Sequence, residues 1–358
     1  MAAIHNFNAG PSVLPKQVFE EASKAIINFN NSGLSLLEIG HRTPLFEAVM
    51  DEARALVKEL MNLDSDHEVL FLHGGATTQF MQVPMNLLNE NDIAAYTETG
   101  TWANKAIKEA KLFGHVEIAG SGKETNYTSI PKNLNVTPTA AYLHITTNET
   151  IAGTQWHTLP YDCGVPLVAD MSSDILSRQL DFNKFDLIYG GAQKNMGAAG
   201  VNLVVVNKNI LGKVERKIPT VLDYSNHIKE SSMLNTPPVF AVYVAMLTLR
   251  WLKKIGGVTA IEKLNDEKAT LFYNTLDSLP IFKGPVAKED RSKMNAVFIM
   301  DNEALELEFL ALCKKEGMYG VKGHRSVGGF RVSMYNALQL ESVKAITDLM
   351  KDFANKKG

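Results

Sequence analysis

The sequence predicts an α/β protein: a mostly parallel sheet with crossover helices, followed by a smaller second domain. Short β-branched or aromatic runs, such as residues 185–189 and 201–206, alternate with helical stretches up to about residue 206. That is the pattern of strands covered on both faces by helices. The 358 residues exceed the size at which a single core stops growing, so two domains are expected. A large domain is read over residues 16–255 and a small one over 256–358, with a lead segment at 1–15. The division is placed where Gly256-Gly257 interrupts a long helical pattern.

Each element follows from local chemistry. Residues 4–15 are rich in turn formers and read as an irregular lead. Helical periodicity covers 16–28 and 46–61, and Gly40-His41-Arg42-Thr43-Pro44 must loop between them. Residues 68–72 form a strand that runs into His73-Gly74-Gly75-Ala76-Thr77-Thr78. Such a turn lets N–H groups converge on a phosphate at a helix N-terminus. It lacks the Gly-Lys-Ser/Thr ending of a Walker loop and does not match Gly-x-Gly-x-x-Gly. Further strands are read at 93–96, 141–145 and 165–170, with Gly100-Thr101-Trp102 opening a helix after the first. Asn235-Thr236-Pro237-Pro238 reads as a helix start, Thr236 capping and a proline at the first helical position. A long amphipathic helix then runs to about residue 254. Beyond it come a helix to about 279, a strand at 296–300, a helix at 303–317, a strand at 328–334 and a last helix at 341–353.

Bulk composition excludes several classes. The chain is 45% hydrophobic and 21% charged, as in ordinary globular proteins. A net charge of −3 gives no reason to expect nucleic acid or an anionic membrane as partner. Cys163 and Cys313 alone provide neither a disulfide framework nor a four-ligand zinc pattern, so no metal is expected. The first residues lack a charged region followed by an apolar one, and the most apolar helix, 240–249, is too short to span a bilayer. A cytoplasmic protein is the expectation.

Chemistry is expected where the strands end, because open α/β sheets bind ligands at the carboxyl edge. Lys194 lies in Gly190-Gly191-Ala192-Gln193-Lys194-Asn195-Met196-Gly197, among small residues directly after an apolar strand. Taking an ammonium out of water lowers its pKa and frees the amine to attack a carbonyl, which makes a Schiff-base lysine. A surface lysine is the plainer reading of Lys194 alone. Asp170 ends the run at 165–170, a neighbour of 185–189 in a parallel sheet. There it either caps the following turn or keeps a pyridine nitrogen protonated. A lysine and a carboxylate so placed are what pyridoxal phosphate needs. Trp102, at the same edge, either stacks on a planar ring or fills core. His41-Arg42 and the cluster holding His324, Arg325 and Arg331 suit carboxylate or phosphate groups, or else face solvent.

Taken together, these residues resemble the phosphoserine aminotransferases, homodimeric pyridoxal-phosphate enzymes of fold-type I. The resemblance spans essentially the whole chain. It rests on Phe7-Asn8-Ala9-Gly10-Pro11, His41-Arg42, His73-Gly74-Gly75, Asn148-Glu149-Thr150-Ile151 and Asp170-Met171-Ser172-Ser173. It continues through Gly191-Ala192-Gln193-Lys194-Asn195, Asn235-Thr236-Pro237-Pro238 and Lys322-Gly323-His324-Arg325. It implies a seven-stranded, mostly parallel sheet in the large domain and an α+β small domain. Lys194 would carry pyridoxal 5′-phosphate and transfer protons, Asp170 would pair with the pyridinium, Trp102 would stack, and Thr150 would bond the phenolic oxygen. The cofactor phosphate would meet the backbone at Ala76 and Thr77, Gln193, and Asn235 and Thr236 from the other subunit of a dimer. Arg331 would take the α-carboxylate, and His41, Arg42, His324 and Arg325 the second anion of phosphoserine or glutamate. The implied reaction is transamination of 3-phosphohydroxypyruvate with glutamate in serine biosynthesis; bacterial members also process a phosphorylated hydroxythreonine precursor of pyridoxine. One departure is Thr77, where some bacterial members carry an arginine toward the substrate phosphate. Rival readings are a cysteine desulfurase, an alanine–glyoxylate aminotransferase and a non-catalytic dimeric scaffold. The first needs a reactive cysteine on a mobile loop, the second has no use for the His-Arg pairs, and the third has no use for Lys194 and Asp170.

Overall fold

The computed structural model describes residues 4–357. In chain order the first half holds β1 (His5–Asn6), α1 (Lys16–Ile27), α2 (Pro44–Leu60), β2 (His67–His73), α3 (Gly75–Leu87), β3 (Ile93–Glu98), α4 (Thr101–Ala110) and β4 (His115–Ser121). The centre adds β5 (Leu143–Thr146), β6 (Leu167–Asp170), β7 (Leu187–Gly191), α5 (Ala192–Asn195), β8 (Val201–Asn207), α6 (Tyr224–Lys229) and α7 (Val239–Lys254). The remainder is α8 (Gly257–Ser278), β9 (Asn295–Phe298), α9 (Glu303–Lys315), β10 (Met318–Tyr319), β11 (Phe330–Ser333) and α10 (Leu340–Lys357).

Seven strands form one sheet in the order β2-β8-β7-β6-β5-β3-β4. Only β8 runs against its neighbours; the other pairings are parallel. Strand side chains alternate between faces. Leu203 and Val205 of β8 join Ala169, Ile188 and residues of α2 and α7 in one core cluster. Val204 and Val206 join Val168, Tyr189, Phe80 of α3 and Ile107 of α4 in another. Both faces of the sheet are therefore covered, as the continuous apolar runs require. A third cluster joins Phe272 of α8, Phe298, Phe309, Phe330 and Phe353 to Phe7. It packs around the antiparallel pair β9–β11. Helix α8 serves two cores, with Ile261 in the sheet's cluster and Ala269 in the third.

Four sequence expectations are corrected here. The lead is not wholly irregular: β1 pairs in parallel with β10, tying the start of the chain to its last third. The strand β4 was not read at all, because His115, Glu117 and Gly120 break its apolar pattern; it lies at the sheet's edge, where one side faces solvent. Helix α7 starts at Val239 with Pro238 at its N-cap and no side-chain cap, so Thr236 does not cap it. Nor is α7 simply amphipathic: Ala241 through Leu249 is continuously buried, between the sheet, other helices and α8. Gly256 and Gly257 do break the helices, with φ of +108° and +71°, a region that a Cβ disfavours.

Candidate active site

The strand register builds the site. Thr146 of β5 lies beside Asp170 of β6, and Asp170 beside Tyr189 of β7, so β5 and β6 end level and β7 runs two residues further. Gly190-Gly191 then turns the chain into the four residues of α5, which carry Gln193 and Lys194. Gln193 also accepts, through its carbonyl, the backbone N–H of Ser12 at 3.0 Å. Gly10, at φ +146°, approaches so closely that a Cβ there would lie 3.2 Å from Lys194 Cγ. The lead segment thus lies across α5.

Lys194 Nζ donates to Thr150 Oγ1 at 2.9 Å and stands 5.1 Å from the Trp102 ring centroid. Burial lowers its pKa; the carboxylates of Asp170 and Glu149 oppose that, and Arg331 reinforces it. Asp170 is only 4% exposed. Its Oδ1 accepts the N–H and hydroxyl of Ser172 at 2.9 and 2.6 Å. Burial nevertheless raises its pKa, against the pull of Lys194 and Ser172. No guanidinium or ammonium pairs directly with this carboxylate among the described residues, so the site holds room for one more positive charge. Arg331, in β11, donates through Nη1 to the Thr150 carbonyl at 3.3 Å. Its Nε is buried without a partner, an N–H left for a ligand. Lys194, Asp170, Thr150, Trp102 and Arg331 therefore lie close together.

The turn after β2 is built from two left-handed glycines, Gly74 at φ +95° and Gly75 at φ +66°. A Cβ on Gly74 would fall 2.0 Å from Thr78 Oγ1, so no other residue fits. Ala76 and Thr77 occupy the first turn of α3, whose N–H groups have no acceptor within the helix. Ala76 packs with Trp102 against one core cluster, and the Phe80 and Trp102 rings lie 6.5 Å apart. The N-termini of α3 and α4 thus face the same space.

The other cations divide into two groups. His324 Nδ1 lies 2.7 Å from the Ser326 hydroxyl. Its pKa is lowered, first by burial and then by the charges of Arg331, Arg325 and Lys105, which places it beside Arg331. Arg42 instead donates to the Leu234 carbonyl at 3.5 Å, and the Thr236 carbonyl accepts from His73 Nε2 at 2.6 Å. Among the described residues, no hydrogen bond or ion pair joins His41, Arg42, Asn235 or Thr236 to Lys194, Asp170 or Arg331.

Two residues went unassigned in the sequence. Glu149 is fully buried and accepts the N–H groups of Trp102 and Ala103 at 3.3 and 3.1 Å. It thereby caps α4 from another loop. Gly100 makes room for it, since a Cβ there would lie 2.6 Å from Glu149 Cδ. Burial raises the Glu149 pKa to about 7. The signal was a glycine before Trp102 and an acid before Thr150, far apart in sequence. The second residue is Lys105, whose ammonium lies 4.4 Å from the Trp102 centroid.

A sheet edge bearing a half-buried lysine, a buried carboxylate and an adjacent tryptophan is a site of the pyridoxal-phosphate type. The model of the aminotransferase class-V family matches residues 4–346, and the chain belongs to that family. Within it, the chain is 57% identical to the phosphoserine aminotransferase of Flavobacterium johnsoniae, over 98% of this chain and 99% of that one. Its fold superimposes on the phosphoserine aminotransferase of Bacillus circulans subsp. alkalophilus with a TM-score of 0.97, at 43% identity over 99% of each chain. The PLP-bound phosphoserine aminotransferase of Trichomonas vaginalis matches at 0.92 and 34% identity, covering 98% of this chain and all of that one.

Proposed function

We propose that the chain transfers the amino group of L-glutamate to 3-phosphohydroxypyruvate, giving O-phospho-L-serine and 2-oxoglutarate in serine biosynthesis, with pyridoxal 5′-phosphate as cofactor. The phosphohydroxythreonine step of pyridoxine synthesis suits the same pocket. The observation that carries this reading is the convergence of Lys194, Asp170, Thr150, Trp102 and Arg331 at one sheet edge. The residues present fit the cofactor, since Asp170 is a buried carboxylate that a protonated ring nitrogen would balance.

When bound, pyridoxal phosphate supplies an electron sink for the substrate α-carbon. Lys194, whose neutral amine is favoured by burial, would hold the cofactor's carbonyl carbon and would move the proton at the substrate Cα. Asp170 would keep the ring nitrogen protonated, Trp102 would cover the ring face, and Thr150 would offer its hydroxyl to the phenolic oxygen. The N–H groups of Ala76 and Thr77 and the amide of Gln193 would hold the cofactor phosphate. Arg331 binds the α-carboxylate common to both amino acids, and His324 and Arg325 bind the second anion. Asn235 and Thr236 reach the cofactor phosphate, and His41 and Arg42 the second anion, from the other subunit of a homodimer.

The chemistry of a desulfurase finds no support. Burial raises the pKa of Cys163, and that of Cys313 to about 12, whereas a reactive cysteine needs a lowered one. No helix among the described residues is long and apolar enough to cross a membrane, and the protein is proposed to act in the cytoplasm. Steady-state rates with phosphoserine and 2-oxoglutarate test the activity. Glutamate should form, with parallel double-reciprocal lines as phosphoserine is varied at fixed 2-oxoglutarate. Converging lines, or no glutamate, would contradict it.

A further inference from the structure

The mouth of the site carries one more cation than the chemistry above uses. Lys105 follows Trp102 by three positions in α4, so the two side chains share one face of the helix. Its ammonium stands 4.4 Å from the indole centroid, against 5.1 Å for Lys194 Nζ. The residue is exposed, and no carboxylate pairs with it among the described residues. The charge of Lys105 also reaches His324, whose pKa is lowered first by burial and then by Arg331, Arg325 and Lys105. The turn at residues 74–78 adds no charge of its own.

We propose that Lys105 determines specificity for the substrate phosphate, its ammonium joining His324 and Arg325 on the dianion. The inference rests on the phosphoserine reading given above. Coulomb attraction scales with charge, so a phosphate dianion gains about twice what a carboxylate gains from the same ammonium. A lysine is a point charge on a flexible stem; it can leave the Trp102 face and follow the phosphate. Glutamate, whose second anion is a single carboxylate, draws on Lys105 less.

The test is calorimetric binding to the cofactor-loaded protein of two ligands that lack an amine and cannot react, 3-phosphoglycerate and glutarate. Lys105→Met should weaken 3-phosphoglycerate by about fivefold or more, the upper range for one exposed ion pair, and glutarate by a clearly smaller factor. Lys105→Arg should restore most of the loss. Equal weakening of both ligands by Lys105→Met, or none, would overturn the role of Lys105 while wild-type turnover of phosphoserine stands. A wild-type protein that turns over glutamate but never phosphoserine overturns the functional reading, and this inference with it.

Discussion

At the scale of single residues, Lys194 could be singled out because a charged side chain stood among glycines after a buried strand. Asp170 was legible for a similar reason, as a carboxylate ending an apolar run, Trp102 as the opening of a helix after a strand, Arg331 as part of a cationic cluster, and Thr150 through the family resemblance alone. The structure brings Asp170, Thr150, Trp102 and Arg331 to it. Glu149 and Lys105 were not assigned, because their meaning lies in what they touch across the fold. Arg331 yields the sharpest residue-level expectation. Arg331→Ala should lower kcat/KM for phosphoserine and glutamate together, by about a hundredfold, since truncating one side of a buried charge pair costs about 2–5 kcal/mol. Separate kinetics with each amino donor check this; a loss confined to phosphoserine would contradict a role in α-carboxylate binding.

At the scale of elements, the strands were read well where both faces are buried and poorly elsewhere. Runs such as 201–206 have no polar residue to disguise them except Asn202, whereas the edge strand β4 is mixed and was missed. The start of α7 was misplaced because Thr236 and the two prolines look like a cap, yet Pro238 itself occupies the N-cap position. The capping of α4 by Glu149 has a pH consequence. Its carboxyl titrates near 7 in the folded chain, against 4.5 ordinarily. Between those values the folded state holds a proton that the unfolded state has released, so this group costs stability as pH rises from about 5 to 8. The full effect is roughly 3 kcal/mol. Urea unfolding of cofactor-free protein should therefore show wild type losing ground to Glu149→Gln across that range. Curves that stay parallel would mean that Glu149 is ionised throughout.

At the scale of the whole molecule, the α/β class and the polarity of the sheet follow from the alternation of apolar runs and helices. The tie between β1 and β10 does not, because two-residue strands leave no periodicity to read. The sharing of the site between subunits proposed above is equally illegible in one chain, within which Arg42 bonds to the Leu234 carbonyl and His73 to that of Thr236. If Arg42 serves the neighbouring subunit, inactive Lys194→Ala and Arg42→Ala chains should complement when refolded together. Half of the dimers would be hybrids with one intact site each, giving about a quarter of wild-type activity. Recovery of none would place Arg42 and Lys194 of one chain in the same site.

The most direct test of the role of Lys194 is the visible absorption spectrum of the protein loaded with pyridoxal phosphate, with Lys194→Ala alongside. The wild type should be yellow, lose that band on addition of phosphoserine and regain it with 2-oxoglutarate. Lys194→Ala should remain folded and show no catalytic turnover. A variant that cycles like the wild type would show that another group carries the cofactor.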